Sequence, residues 1–181
     1  MALKATIFKA ELQVSDLERH YYQSHSLTIA RHPSETDLRM MVRILLFALH
    51  ADDRLSFTRG LSSDDEPDLW ATNLSGEIDS WIELGQPDEK RIRKACGRAK
   101  QVYIYTYSAR GGSVWWEQNR EALTRYDNLN VTQLAGEGVK ELVLLAARNM
   151  KLNCTIQEGE VWLGNAFDTV QVTLKRRRSV A

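Results

Sequence analysis

Asp68 and Glu83 are the residues on which chemistry could rest. They stand on either side of Ser75-Gly76, and serine-glycine pairs often make turns. A two-residue turn there opposes Leu74 to Glu77, Trp70 to Trp81 and Asp68 to Glu83. Directly opposed residues share a face, with Cβ atoms about 4.5–5.5 Å apart. Two carboxylates meeting in this way offer the oxygen ligands and charge that a hard divalent cation takes, Mg²⁺ or Mn²⁺. Register is decisive, because a slip of one residue sends the two acids to opposite faces. Glu66, two residues before Asp68, reaches the same place. Like charges directly opposed cost stability unless something compensates. A bound cation offsets both at once; a solvated or salt-bridged acidic edge is the alternative reading.

The charges around this pair are segregated. Residues 64–89 carry nine acids and no Lys or Arg, and residues 90–100 carry six bases and no acid. The sharper reading is a cation cluster beside a phosphate-facing stripe; the blander one is a solvated acidic loop followed by a solvated basic helix. The whole chain is neutral, with 24 basic and 24 acidic residues, so it is not built to coat nucleic acid non-specifically.

The elements that must position these acids follow from periodicity. Phe8, Ala10, Leu12 and Val14 alternate with polar residues as a half-buried strand does. Ser26 to Arg31 forms a second strand, which His32-Pro33 ends. Ser34 then caps a helix running to about Ala51, with Asp37 as its reciprocal partner. Leu38, Met41, Val42, Leu45 and Leu49 make one apolar face, while Met40, Ile44 and Phe47 make the opposite one. Only Thr36, Arg39, Arg43 and His50 form a polar stripe, so this helix is packed inside. Glu35 sits at the edge of its buried face, as a dipole-favoured acid or as an outer ligand.

Leu55–Thr58, Asp68–Leu74 and Glu77–Leu84 read as strands, and Pro87 opens a helix at its first position. Its inward face is Ile92, Ala95, Cys96 and Ala99. Gln101–Tyr107 is a strand, Gly111 to about Arg125 a helix, Leu129–Leu134 a strand, and Gly136 to Met150 a long helix. Asn153–Lys175 is strand again, turned at Glu158-Gly159 and near Gly164-Asn165, followed by a basic tail, Lys175 to Arg178. The alternation between residues 77 and 150 implies a partly parallel sheet covered on both faces.

The 181 residues predict one domain with a core that needs no staples. Hydrophobic residues make up 43% of the chain and charged residues 27%, which excludes a disordered or fibrous chain. No apolar run reaches the roughly 18 residues of a membrane span, and no apolar segment follows Met1 as a signal would need. Cys96 and Cys154 show no metal or disulfide spacing. A soluble protein of the cytoplasm, without a membrane partner, is expected. His20, His25, His32 and His50 lack ligand spacing. The five tryptophans and the Tyr103, Tyr105, Tyr107 stripe read as packing before base stacking. Neither a nucleophile elbow nor a phosphate-binding P-loop motif occurs.

Several segments carry a resemblance. Glu35 on a helix, Pro67-Asp68 opening a strand pair, and Glu83 on the next strand resemble the PD-(D/E)XK nuclease superfamily. Phe57 to Leu61, Glu66-Pro67-Asp68-Leu69-Trp70, Trp81 to Pro87, Arg91 through Cys96, and Arg98-Ala99 are similar to the YaeQ family of bacterial proteins, over nearly the whole chain. The resemblance implies an α/β fold, a three-layer α/β/α sandwich with a mixed sheet and a restriction-endonuclease-like core. It implies Asp68 and Glu83 as the metal pair and Glu35 as an auxiliary acid. The superfamily's lysine belongs two residues after Glu83, where this chain has Gly85.

Two functions from different classes follow. The first is a Mg²⁺- or Mn²⁺-dependent phosphodiesterase acting on nucleic acid. Asp68, Glu83, Glu35 and Glu66 would serve the ion and Gln86 would orient water. Arg39, Arg91 and Arg98, with Lys94 ranked behind them, would supply the missing positive charge. The second is a nuclease fold without chemistry that binds nucleic acid or a protein.

Overall fold

The computed structural model describes residues 4–59 and 65–180; Asp64 and the Gly60-Leu61 part of the family motif lie outside them. Strand β1 (Thr6–Asp16) buries Phe8, Ala10, Leu12 and Val14, as its alternation requires. β2 (Tyr21–Arg31) pairs with it antiparallel along its full length. The second strand thus begins five residues before Ser26, because backbone pairing with β1 extends it through residues that bury little.

Helix α1 (Asp37–Leu49) is capped by Thr36, whose Oγ1 accepts the Arg39 N–H at 3.1 Å. The expected cap, Ser34, instead contacts His32 Nδ1 at 2.6 Å. Every residue from Met40 to Ala48 is buried, and Leu38 and Leu49 at the ends are half-buried. A helix apolar on two sides has found cover on both.

β3 (Leu55–Phe57), β4 (Leu69–Thr72) and β5 (Ile78–Leu84) follow. Asp88, not Pro87, caps α2 (Glu89–Arg98), accepting the Arg91 N–H at 2.8 Å, so Pro87 stands outside the helix. β6 (Ala99–Thr106), α3 (Ala109–Leu123) and β7 (Leu129–Ala135) complete a parallel run with β5. The helix expected from Gly136 to Met150 is much shorter. α4 (Gly138–Glu141) passes into a 3-10 turn at Leu142–Leu145, and the chain then enters β8 (Asn149–Gln157). There Met150, Leu152, Cys154 and Ile156 are buried at a period of two, and the parallel ladder with β1 overrides the helical pattern. β9 (Glu160–Gly164) and β10 (Thr169–Arg178) end the fold. The basic run is therefore strand, not tail: Lys175 and Arg176 pair with Gln133 and Thr132 of β7.

The ten strands form one mixed sheet in the order β2-β1-β8-β9-β10-β7-β6-β5-β4-β3. One core cluster gathers α1 with Leu12 and Ile29 from one end of the sheet, Leu69 and Ile82 from the other, and Leu163 and Val172 between. Strands from both ends touch one helix, so the sheet curls around α1, nearly as a barrel. A second cluster, with Trp81, Ile92, Val102, Trp115 and Val131, fills the opposite side of β5–β7 beneath α2 and α3. The mixed α/β fold expected from the sequence is present, with its sheet wrapped rather than laid flat. No helix among the described residues is long and apolar enough to cross a membrane.

Candidate metal and phosphate site

The β4–β5 hairpin reaches the expected register by an unexpected route. Asn73 O accepts the Gly76 N–H at 3.0 Å, and Asn73 N–H donates to Glu77 O at 2.9 Å. Gly76 takes φ +83°, in the region that favours glycine. Leu74 therefore does not oppose Glu77; it lies in the loop, fully exposed. Thr72 pairs with Ile78, and a bulge beside Asp79 then brings Ala71 to Ser80, Trp70 to Trp81 and Leu69 to Ile82. The extra residue of the bulge corrects the longer loop, and Trp70 meets Trp81 edge-on at 6.4 Å.

Asp68 stands just before β4, with its N–H donating to Ile82 O at 3.1 Å. Asp68 and Leu69 both face Ile82, so the square opposition of Asp68 and Glu83 does not form. The Asp68 carboxylate lies beside the end of β5, where its Oδ2 accepts the Leu84 N–H at 2.8 Å. Its Oδ1 accepts Arg39 Nη2 from α1 at 2.9 Å. Glu83 points to the other side, with Trp81, where Arg91 Nε of α2 donates to its Oε1 at 2.7 Å. The two acids approach the end of β5 from different sides, near enough that the Asp68 charge acts on Glu83.

Glu35 joins them through α1. Arg39 Nη1 reaches its Oε2 at 2.8 Å, and Arg43 grips both oxygens, through Nε at 3.0 Å and Nη2 at 2.5 Å. Arg43 also donates to Ala30 O at 3.0 Å. Glu35, Arg39 and Arg43 recur at i, i+4 and i+8, the signal by which this ladder could have been read from sequence. The polar stripe of α1 carries a buried cation: Arg43 is 2% exposed.

Arg43, Glu35, Arg39 and Asp68 form one chain of ion pairs and Arg91 with Glu83 another, which is why acids so deeply buried are tolerated. Glu83 is the exception in detail. Its Oε2 is buried without a hydrogen-bond partner among the described residues. Burial pushes its carboxyl pKa up from the ordinary value, against the pull of Arg91.

The remaining candidates are placed differently. Gln86 is exposed and leans over the start of α3: a Cβ on Gly111 would come 2.7 Å from its Nε2. Lys94 Nζ pairs with Asp65 at 2.5 Å, and Arg98 Nη1 donates to Asp65 O at 2.6 Å while its guanidinium lies over Trp81. Both hold the loop before β4 and do not touch Glu83. Glu66 serves chiefly through its backbone, whose carbonyl accepts Arg91 Nη2 at 2.9 Å; its carboxylate accepts the Arg59 N–H at 3.3 Å. Gly85, two residues after Glu83, takes φ +117°, which a side chain rarely adopts.

This ordering of motif, helix and strand extends over the chain. The family described as YaeQ protein matches residues 1–174. The chain belongs to the YaeQ family. YaeQ of Escherichia coli (strain K12) is 48% identical over 174 residues, 96% of either chain, and that of Salmonella typhi is 47% identical over the same shares. The crystal structure of YaeQ from Xanthomonas axonopodis pv. citri superposes with a TM-score of 0.94 at 48% identity, covering 97% of this chain and 99% of that one. YaeQ from Pseudomonas syringae gives 0.91 at 34% identity, covering 97% of each. The YaeQ fold thus extends over both the curled sheet and the arginine-carboxylate network.

Proposed function

We propose that this YaeQ-family protein is a divalent-cation-dependent phosphodiesterase of the PD-(D/E)XK kind, a cytoplasmic enzyme acting on nucleic acid. The reading takes β5–β7, with α1 on one face and α2 and α3 on the other, as a three-layer, restriction-endonuclease-like core within the larger sheet. The observation that carries it is Glu83 Oε2, a buried carboxylate oxygen without a hydrogen-bond partner among the described residues and beside a second carboxylate.

Asp68 and Glu83 leave the sheet on different sides, so a shared cation would have to sit past the end of β5, where the Asp68 charge acts on Glu83. Glu83 offers that free oxygen, and each oxygen of Asp68 accepts one hydrogen bond and keeps lone-pair capacity. Asp68 and Glu83 would hold Mg²⁺ or Mn²⁺, with Glu35 as an outer acid. When bound, such an ion supplies charge stabilisation at phosphate and an activated water. Arg91, whose side chain is 28% exposed and which holds Glu83 and the Glu66 carbonyl, would turn toward a phosphate once the cation takes Glu83. Arg39, 14% exposed, holds Asp68 oriented. Gln86, exposed at the mouth, orients water.

The test is cleavage of labelled single- and double-stranded DNA and RNA with Mg²⁺, Mn²⁺ or EDTA, for the parent, Asp68→Asn and Glu83→Gln. Cation-dependent cleavage lost in both variants supports the reading. Cleavage that survives either substitution overturns it.

Gly85 favours a second reading. Its φ leaves no ordinary place for the superfamily's lysine, and every acid of the site already has an arginine. On this reading the chain is a silent nuclease fold that binds nucleic acid or a protein. Binding of nucleic acid in EDTA without cleavage in either metal selects it.

A further inference from the structure

A second site lies at the other end of α1, about 20 Å from the first at 1.5 Å per residue. A cavity of about 430 Å³ opens beyond the helix C-terminus, beside the beginning of β5. The curled sheet continues past the helix that fills it, and the mouth of a barrel-like sheet is a common place for a ligand. His50, Tyr103, Tyr105, Thr132, Arg176 and Arg178 are in its wall.

The acids of the wall are already used. Asp16 accepts the Glu18 and Arg19 N–H groups at 3.0 and 3.1 Å and Arg19 Nε at 2.6 Å. Asp79 takes Arg54 at 3.1 Å and Lys100 at 3.0 Å, and Asp52 accepts the Arg54 N–H at 2.8 Å. Glu18 accepts the Gly159 N–H at 2.8 Å. The bases are not used to the same extent. Among the described residues Arg176 has a single long hydrogen bond, to Glu18 at 3.4 Å, so most of its five donors remain. Its charge nevertheless acts on the Tyr105 hydroxyl, which places it over the cavity. Arg178 bonds only backbone carbonyls, of Thr124, Tyr126 and Leu129, and has no carboxylate partner among the described residues.

The aromatic groups are packed into a wall. The His50 ring lies 4.5 Å from Tyr103 and 5.6 Å from Tyr105. His50 Nε2 and the Tyr105 hydroxyl share a hydrogen bond of 2.6 Å. The Tyr103 hydroxyl has no partner among the described residues and lines the cavity. Burial holds His50 down to about 3 and raises Tyr105, so neither ring changes charge near neutral pH. The site is therefore suited to binding and not to acid-base chemistry. What it still offers a ligand is aromatic surface, one hydroxyl and guanidinium donors.

We propose that this cavity binds a small anionic aromatic molecule, its ring against Tyr103 and His50 and its carboxylate or phosphate on Arg176. Stacking and charge-assisted hydrogen bonds are the two interactions these groups can supply.

The test is ligand-observed NMR and thermal shift with four probes: 4-hydroxybenzoate, adenosine 5′-monophosphate, adenosine and inorganic phosphate. The variants are Tyr103→Leu, Arg176→Gln and, as a control at the other site, Glu83→Gln. Arg176 is half exposed, so its substitution leaves the fold intact. The expected result is binding of the first or second probe, weakened about tenfold or more by Arg176→Gln and by Tyr103→Leu and unchanged by Glu83→Gln. Whichever of the two binds tells carboxylate from phosphate. Absence of binding by both overturns the proposal. So does adenosine or phosphate binding as tightly as adenosine 5′-monophosphate, or binding that Arg176→Gln leaves untouched.

Discussion

Glu35 and Arg43, eight positions apart, form a buried ion pair in which both side chains are 2% exposed. A pair so enclosed is balanced against desolvation, and removing one partner leaves a buried charge alone. Glu35→Ala or Arg43→Ala should each cost about 3–5 kcal/mol. The double substitution should cost less than the sum, with a coupling of about 0.5–3 kcal/mol. Denaturant unfolding of the four proteins measures it; additive losses would show that the pair contributes no coupling.

Filling the carboxylate site should stabilise the fold by RT ln(1 + [L]/Kd). With 10 mM Mg²⁺ and a Kd on the order of 1 mM the gain is about 1.4 kcal/mol, or roughly 3–6 °C. Thermal unfolding at fixed ionic strength should show this shift in the parent and none in Asp68→Asn or Glu83→Gln. Arg91→Ala should enlarge the shift, because it frees Glu83 Oε1. A smaller shift in Arg91→Ala would mean that Arg91 does not compete with the ion.

Placing a lysine at position 85 should fail for a backbone reason. Gly85 sits at φ +117° with open space around a built Cβ, so the penalty is conformational and not steric crowding. Gly85→Ala and Gly85→Lys should destabilise alike, by about 1–3 kcal/mol. Denaturation midpoints of the two variants check this; a lysine as stable as glycine would show that β5 can straighten.

The buried imidazole of His50 gives a pH dependence with a definite sign. Its pKa is lowered to about 3 from 6.5, so between these values the unfolded chain holds a proton that the folded chain does not. Stability from this group is complete above about pH 6.5 and falls with decreasing pH toward 3, by up to about 1.4 kcal/mol per pH unit. His50→Phe should flatten that slope between pH 6 and pH 4, as chemical denaturation at several pH values would reveal. An unchanged slope would place the lost protons elsewhere.

Local pattern by itself determined the first strand, the two-sided burial of α1 and the pairing of Trp70 with Trp81. Each depends on which face a residue takes, and the periods of two and 3.6 report that directly. The same pattern misjudged residues 136–150. Val139 and Leu142 fit a helix, yet Met150 belongs to a strand whose ladder partner, Ala10, lies 140 residues earlier. Asp68, Glu83 and Glu35 could be picked out as residue types, and Arg39 and Arg91 as cations near them, but not the bonds of Arg39 to Asp68 and of Arg91 to Glu83. Arg39 meets Asp68 across 29 positions, and no local spacing encodes that contact. Only the tertiary structure decided that Asp68 and Glu83 meet β5 from different sides. It alone decided that the sheet curls around α1 and leaves a cavity beyond His50. Those outcomes depend on how distant elements share a finite core, and a side chain's local period carries no record of that.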